Sequence, residues 1–147
     1  MMPYNYTKTM QENALSGHEE RPHTADWALD IWGPDFLALL SEAAIGMFAL
    51  IGGHLNDGPR QPRHLSLIEP DRETLLVSFL SELVFLNESE RLGFDRFQLS
   101  LSGLELEVDM DGGIIVDQTK QIKAVTFHNL EICNTSRGLE TTIVFDV

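Results

Sequence analysis

Apolar residues recur along this chain with two periods, and the period changes at glycine and proline. Ala25, Trp27, Leu29 and Ile31 alternate with Asp26, Ala28 and Asp30, which is strand spacing. Gly33-Pro34 breaks that run, and Pro34 suits the first turn of a helix. Phe36, Leu37, Leu40, Ala44, Met47, Phe48 and Ile51 then recur at three and four, predicting a helix that Gly52-Gly53 ends. Residues 55–62, rich in Gly, Pro and Asn, read as a loop, and Leu65 to Glu69 as a short strand. Pro70-Asp71 punctuates it, with Asp71 placed to cap a second helix. Leu75, Leu76, Phe79, Leu80, Leu83 and Val84 form the apolar stripe of that helix.

The second half is strand-like. Phe97, Leu99 and Leu101 alternate with polar residues, and after Ser102-Gly103 the alternation resumes at Leu104, Leu106, Val108 and Met110, as in a hairpin. Asp111-Gly112-Gly113 reads as a turn before a short strand, Ile114 to Val116. Gln121 to Cys133 reads as one further strand. Asn134 to Gly138 turns the chain, and Leu139 to Val147 returns. Met1 to Pro22 is polar and aperiodic, and is expected to be a flexible extension, leaving residues 23–147 as a single domain. Two helices with apolar faces need a sheet to cover. The strands come in hairpins, so the expected class is α+β, a two-layer arrangement of two main helices on a mostly antiparallel or mixed sheet.

Composition narrows the functions open to it. The 147 residues are 43% hydrophobic, enough for a packed core. The longest apolar run, Phe36 to Ile51, is interrupted by Ser41 and Glu42, which fits an amphipathic helix and not a membrane span. No basic start followed by an apolar run marks a secretory signal, and Cys133 is the one cysteine, so the expected compartment is the cytoplasm. The 23 acidic against 10 basic side chains leave a net charge of −13. Such a surface repels phosphate backbones, so any dealings with RNA are expected to be indirect. A basic protein partner or a cation is the easier match, and bare solubility explains the same charge.

The candidate chemistry lies at the tail. Asp146 and the free α-carboxylate of Val147 are neighbours, and hard divalent cations prefer such oxygen ligands. A strand holds them steadily, whereas a frayed end leaves Asp146 merely solvated. Asp26 reads equally as an exposed strand-end aspartate. His23 and His128 suit metal ligation, proton transfer or the ordering of a loop. Lys123, in an apolar run, reads as a solvated strand residue. Glu105, Glu107, Asp109 and Asp111 alternate as a wetted strand face would, or as a docking surface for a basic cleft. Neither glycine pair belongs to a phosphate-loop pattern, and no nucleophile–base spacing is present.

Three short motifs occur in order: His23-Thr24-Ala25-Asp26, then Lys123-Ala124-Val125-Thr126-Phe127-His128, then the terminal Phe145-Asp146-Val147. In this the sequence resembles the archease family, small acidic proteins that assist the RtcB-type RNA ligase of tRNA splicing and RNA repair. The resemblance runs from about His23 to Val147 and implies the same two-layer fold. It implies a divalent-cation site at Asp26, Asp146 and Val147, with calcium, magnesium or manganese the candidates. His23, Lys123 and His128 are implied neighbours of that site. The chain departs from the family at Trp27-Ala28, where Ile-Gly is usual, at Phe127, where Tyr is usual, and at Ser81, where Asn is common. The strand that normally precedes the first motif is not evident in residues 16–22.

The expectation that follows is a non-catalytic protein, monomeric or weakly self-associating, that promotes GTP-dependent guanylylation of an RtcB-type RNA ligase and so permits repeated turnover. Two other readings stay open. One is a small metal-dependent hydrolase with His128 as general base. The other is a modulator or chaperone of an RNA-modifying methyltransferase.

Overall fold

A computed structural model of the chain describes residues 15–22 and 26–147 in full, and residues 4–9 and 23 as backbone. Two helices and two antiparallel sheets make an α+β fold. The strands are β1 (Tyr4–Thr9), β2 (Gly17–His23), β3 (Asp26–Gly33), β4 (His54–Leu55), β5 (Gln61–Ile68), β6 (Leu92–Ser102), β7 (Glu105–Asp117), β8 (Ala124–Thr126), β9 (Cys133–Thr135) and β10 (Gly138–Asp146). The helices are α1 (Phe36–Ile51) and α2 (Arg72–Glu90).

The first sheet runs β1-β6-β7, with β5 and β4 sharing the far edge of the long strand β7. The second runs β2-β3-β10, with β8 and β9 sharing the far edge of β10. Helix α1 contacts β2 and β3 of the second sheet and β1 and β6 of the first. This explains a burial that a single apolar stripe does not predict: 14 of its 16 residues are buried. Leu39, Ala43, Ile45 and Leu50 are as enclosed as the stripe itself, because the helix is covered on more than one side. The one charge on this helix, Glu42, is also buried and accepts a hydrogen bond from His18 Nδ1 of β2 at 2.8 Å.

Both helices start where the sequence says. Asp35 caps α1, its carboxylate accepting from the Ala38 amide at 2.8 Å, so Pro34 lies just outside the helix. Asp71 caps α2 in the same way through Thr74 at 2.7 Å. That bond holds the Asp71 carboxyl below its ordinary value. Gly52 ends α1 in the left-handed region, at φ 64°. The inward face of α2 lies on β5, β6 and β8, and Phe79 meets Phe97 of β6 edge to face with 6.3 Å between ring centroids.

Four expectations are corrected. The extension expected over residues 1–22 contains two strands: β1 pairs with β6 from Tyr4↔Leu101 to Thr9↔Arg96, and β2 pairs with β3 from Gly17↔Trp32 to His23↔Asp26. Neither segment alternates apolar and polar residues, because each lies at a sheet edge and is held by backbone bonds. β2 is also the strand sought in vain in residues 16–22. Second, Gly112-Gly113 is no turn. Strand β7 runs through it, and a Cβ on Gly112 would stand 1.8 Å from the Gly93 carbonyl oxygen, so the glycine serves a close approach of β7 to β6. Third, the strand expected from Gln121 to Cys133 is ordered as β-structure only over Ala124–Thr126 and at Cys133–Thr135, with a turn at His128-Asn129. Fourth, β5 begins at Gln61, inside the expected loop, and His54–Leu55 pairs with β7.

A candidate acidic site where the chain ends

Strands β3 and β10 run antiparallel in unbroken register from Leu139↔Gly33 to Phe145↔Trp27. One more step along both strands places Asp146 opposite Asp26. Directly opposed residues in such a pair share a face, with Cβ atoms about 4.5–5.5 Å apart. Phe145 is fully buried on the helix side and Trp27 lies across from it. The alternation therefore turns Asp26 and Asp146 to the opposite, outward face. The sequence that folds this way is explicit: Leu139, Thr141, Ile143 and Phe145 are buried, which sets the register, and a slip by one residue would turn the aspartates inward.

The tail is seated. On its other side β10 pairs with β8, Asp146 standing opposite Ala124. The Lys123 amide donates to the Asp146 carbonyl at 2.7 Å. Val147 packs against the core. Asp146 itself is exposed, and its carboxylate makes no ion pair among the described residues.

The other candidates distribute unevenly. His23 pairs through its backbone with Asp26, so the first motif folds back on itself at Thr24-Ala25; those two residues and the His23 side chain lie outside what is described. Lys123 is exposed and lines a depression of about 150 Å³ with Glu88, Gln121 and Ile122, at the end of α2. It reaches Asp146 by its backbone, and its ammonium makes no salt bridge among the described residues. His128 lies beyond Thr126, which stands opposite Val144, so β8 leads it away from Asp146. Its exposed ring is within 3.3 Å of the Asn129 amide nitrogen. Phe127 beside it is 56% exposed.

Further along the same outward face, Arg21 of β2 grips Asp30 of β3 with two bonds of 2.8 and 2.9 Å, and Thr142 of β10 donates a third at 2.5 Å. Burial works against ionisation of Asp30, but these donors outweigh it and its pKa is lowered. This clamp ties three strands together next to the acidic pair. No local signal in residues 17–23 announces it, because β2 has no apolar alternation.

The outward face of the first sheet tells a different story. Glu107 and Asp109, read from sequence as a wetted face, both bind His64 of β5, at 2.7 and 2.8 Å. A ring bonded to carboxylates through both nitrogens carries two protons, and the His64 pKa is raised, chiefly by Asp109 and then by Glu107. Asp111 accepts from Arg60 Nε at 2.6 Å.

Among the described residues no group of three or more His, Cys, Asp or Glu side chains is placed to hold a metal ion. Among the same residues no helix is long and apolar enough to cross a membrane.

Comparison with known proteins agrees with the motifs. A profile of the Archease protein family (MTH1598/TM1083) matches residues 18–147. The protein archease of Methanosarcina barkeri is 31% identical over 140 residues, covering 88% of this chain and 95% of that one. The crystal structure of "an archease, possible chaperone" from Thermotoga maritima superposes with a TM-score of 0.64 at 28% identity, covering 88% of this chain and 98% of that chain. The solution structure of protein 1598 from Methanobacterium thermoautotrophicum shares the fold, with a TM-score of 0.66 at 22% identity over 89% of this chain and 99% of that one.

Proposed function

Since this chain belongs to the archease family, we propose that it is a non-catalytic accessory protein of RNA processing whose partner is an RtcB-type RNA ligase. It works in the cytoplasm, promotes GTP-dependent guanylylation of the ligase, and so permits multiple turnover. RNA is touched by the ligase and not by this protein, whose charge of −13 repels phosphate. The same charge draws it to a basic cleft, since opposite potentials accelerate encounter.

The observation that supports this reading is the β3–β10 register, which runs to Phe145↔Trp27, the chain neighbours of Asp146 and Asp26, with Val147 packed against the core. Asp26, Asp146 and the Val147 carboxylate would hold a divalent cation. An oxygen-only set with room for water or partner groups suits calcium, magnesium or manganese. When bound, such an ion supplies charge neutralisation to phosphate oxygens. The chain's own part is to hold two carboxylates on strand ends so that their spacing survives docking. Lys123, exposed one backbone bond from Asp146, would meet a phosphate or a carboxylate of the partner.

The test is a ligation time course with limiting ligase, GTP and metal. Added protein raises the number of turnovers per ligase, and Asp146→Ala does not. Unchanged turnover with the wild-type protein defeats the proposal.

A further inference from the structure

We propose that Lys120 is a positioning residue for the acidic tip: its ammonium, seated on the Trp27 ring, staples the crossover 118–123 to β3 while Lys123 staples it to β10. This rests on the reading of Asp26 and Asp146 as the working site, and names what holds that site together.

The crossover joins β7 of the first sheet to β8 of the second, so it is a bridge between the sheets as well as a loop. It is anchored at its base. The Ile51 carbonyl, at the end of α1, accepts from the Thr119 amide at 2.8 Å, the Lys120 amide at 3.1 Å and the Thr119 hydroxyl at 3.2 Å. Gly52 permits this contact, because a Cβ there would stand 2.4 Å from Thr119 Oγ1. Asn87 of α2 donates to Gln118 at 3.1 Å, and Gln118 donates on to the Lys120 carbonyl and to Gln121, each at 3.0 Å. Ile122 enters the core.

From that base the segment makes two contacts with the strands of the site. Lys120 Nζ lies 4.2 Å from the Trp27 ring centroid, close enough for a cation–π contact. Three residues later the Lys123 amide binds the Asp146 carbonyl. Trp27 is the chain neighbour of Asp26, and its cross-strand partner Phe145 is the neighbour of Asp146. The ring contact therefore lies on the face of β3 away from Asp26, and the amide bond extends the β8–β10 ladder at the edge of β10 beside Asp146. Two like charges on adjacent strand ends repel, and the pair stands at the end of the ladder, where strands fray first. A segment fastened to both strands at that level resists their parting. Trp27 is where this chain departs from the usual isoleucine of the resemblance, so the ring gives Lys120 a seat that an aliphatic side chain does not provide.

Amide hydrogen exchange on the full-length protein tests this without reference to activity. In Lys120→Met, which keeps the apolar stem and loses the charge, the Lys123 amide exchanges about tenfold faster or more. Lys120→Arg, which keeps a cation over the ring, restores protection, and Trp27→Leu behaves like Lys120→Met. Amides in the Leu29–Ile143 part of the ladder stay as in the wild type, which separates local opening from general loss of stability. Unchanged Lys123 protection in Lys120→Met, or failure of arginine to rescue it, overturns the proposal. A Mn²⁺ titration supplies the second readout: the affinity falls about three- to tenfold in Lys120→Met and recovers in Lys120→Arg. Equal affinity in wild type and Lys120→Met overturns the link to the acidic tip. Absence of Mn²⁺ binding by the wild type defeats the cation site itself, while the exchange result still decides the staple.

Discussion

Glu107, Asp109 and Asp111 on β7, and Asp26 with Asp146 at the end of the second sheet, are both rows of outward carboxylates on strands, and their surroundings differ. In the first row Glu107 and Asp109 pair with His64 of β5, and Asp111 pairs with Arg60, just before that strand. At the second, the Asp146 carboxylate has no ion pair among the described residues, and its cross-strand neighbour on β8 is Ala124. Density of acidic residues in the sequence favours the first row, whose three acids fall at alternating positions. Local compensation favours Asp146. A carboxylate already paired with a cation is a poor ligand for another, and one held beside a like charge is a better one.

The sharpest way to break this contrast is to remove one acid from each row. Asp146→Ala lowers stimulation of the ligase by at least about tenfold, equivalent to ~1.4 kcal/mol, while Asp109→Ala stays within about twofold. Turnover numbers from the limiting-ligase assay decide it, and equal losses would erase the distinction between the rows. Thermal melts of both variants should stay close to the wild type, since neither side chain is buried.

A smaller effect is expected from lengthening the chain. Two residues added after Val147 move the terminal carboxylate from its place and reduce stimulation about three- to tenfold, with Asp146 intact. A Gly-Ser tail with no effect would remove Val147 from the site and leave the two aspartates.

The compensated row gives itself away by titration. The His64 pKa is raised from 6.5, and its NMR titration should fall back toward that value in Asp109→Asn. The stabilisation from protonated His64 is complete below the unfolded value of 6.5 and is lost as pH rises through the higher folded value. The urea midpoint should therefore drift down as pH rises above 6.5, and Asp109→Asn should flatten the drift.

The smallest effect concerns the Arg21–Asp30 clamp. Asp30 has a lowered pKa, so its contribution is present above 3.8, the ordinary value, and fades as pH falls through the lower folded one. Arg21 is half exposed, and Arg21→Ala should cost less than about 1 kcal/mol near neutral pH by urea denaturation. A larger cost would make β2 a principal support of the acidic tip.

Both helices were legible because their signals are local. Asp71 and Gly52 act within one turn of the helix they bound, and the three–four spacing of α1 runs without interruption from Phe36 to Ile51. The alternation of β6, the start of β7 and β10 was legible for the same reason. Strand β2 was not, because His18, Glu19, Glu20 and Arg21 give no apolar alternation and pair through their backbones at an edge. The glycines of β7 misled because a glycine pair signals a turn as readily as a close approach, and only the neighbouring strand distinguishes them. At the site, the residue types and their place at the chain end were legible. Lys120 was not, since nothing near it in sequence names Trp27 as its seat.

What the chain determined by itself were the periods, the caps, the excess of negative charge and a last strand, β10, that ends in an aspartate. These depend on neighbours a few residues away, or on sums over the whole composition. Only the tertiary structure decided that β10 lies beside β3, that their register runs to Phe145↔Trp27, the neighbours of Asp146 and Asp26, and that α1 is enclosed by strands of both sheets. Partners more than a hundred residues apart are chosen by which apolar faces can be buried together, and no local signal carries that choice.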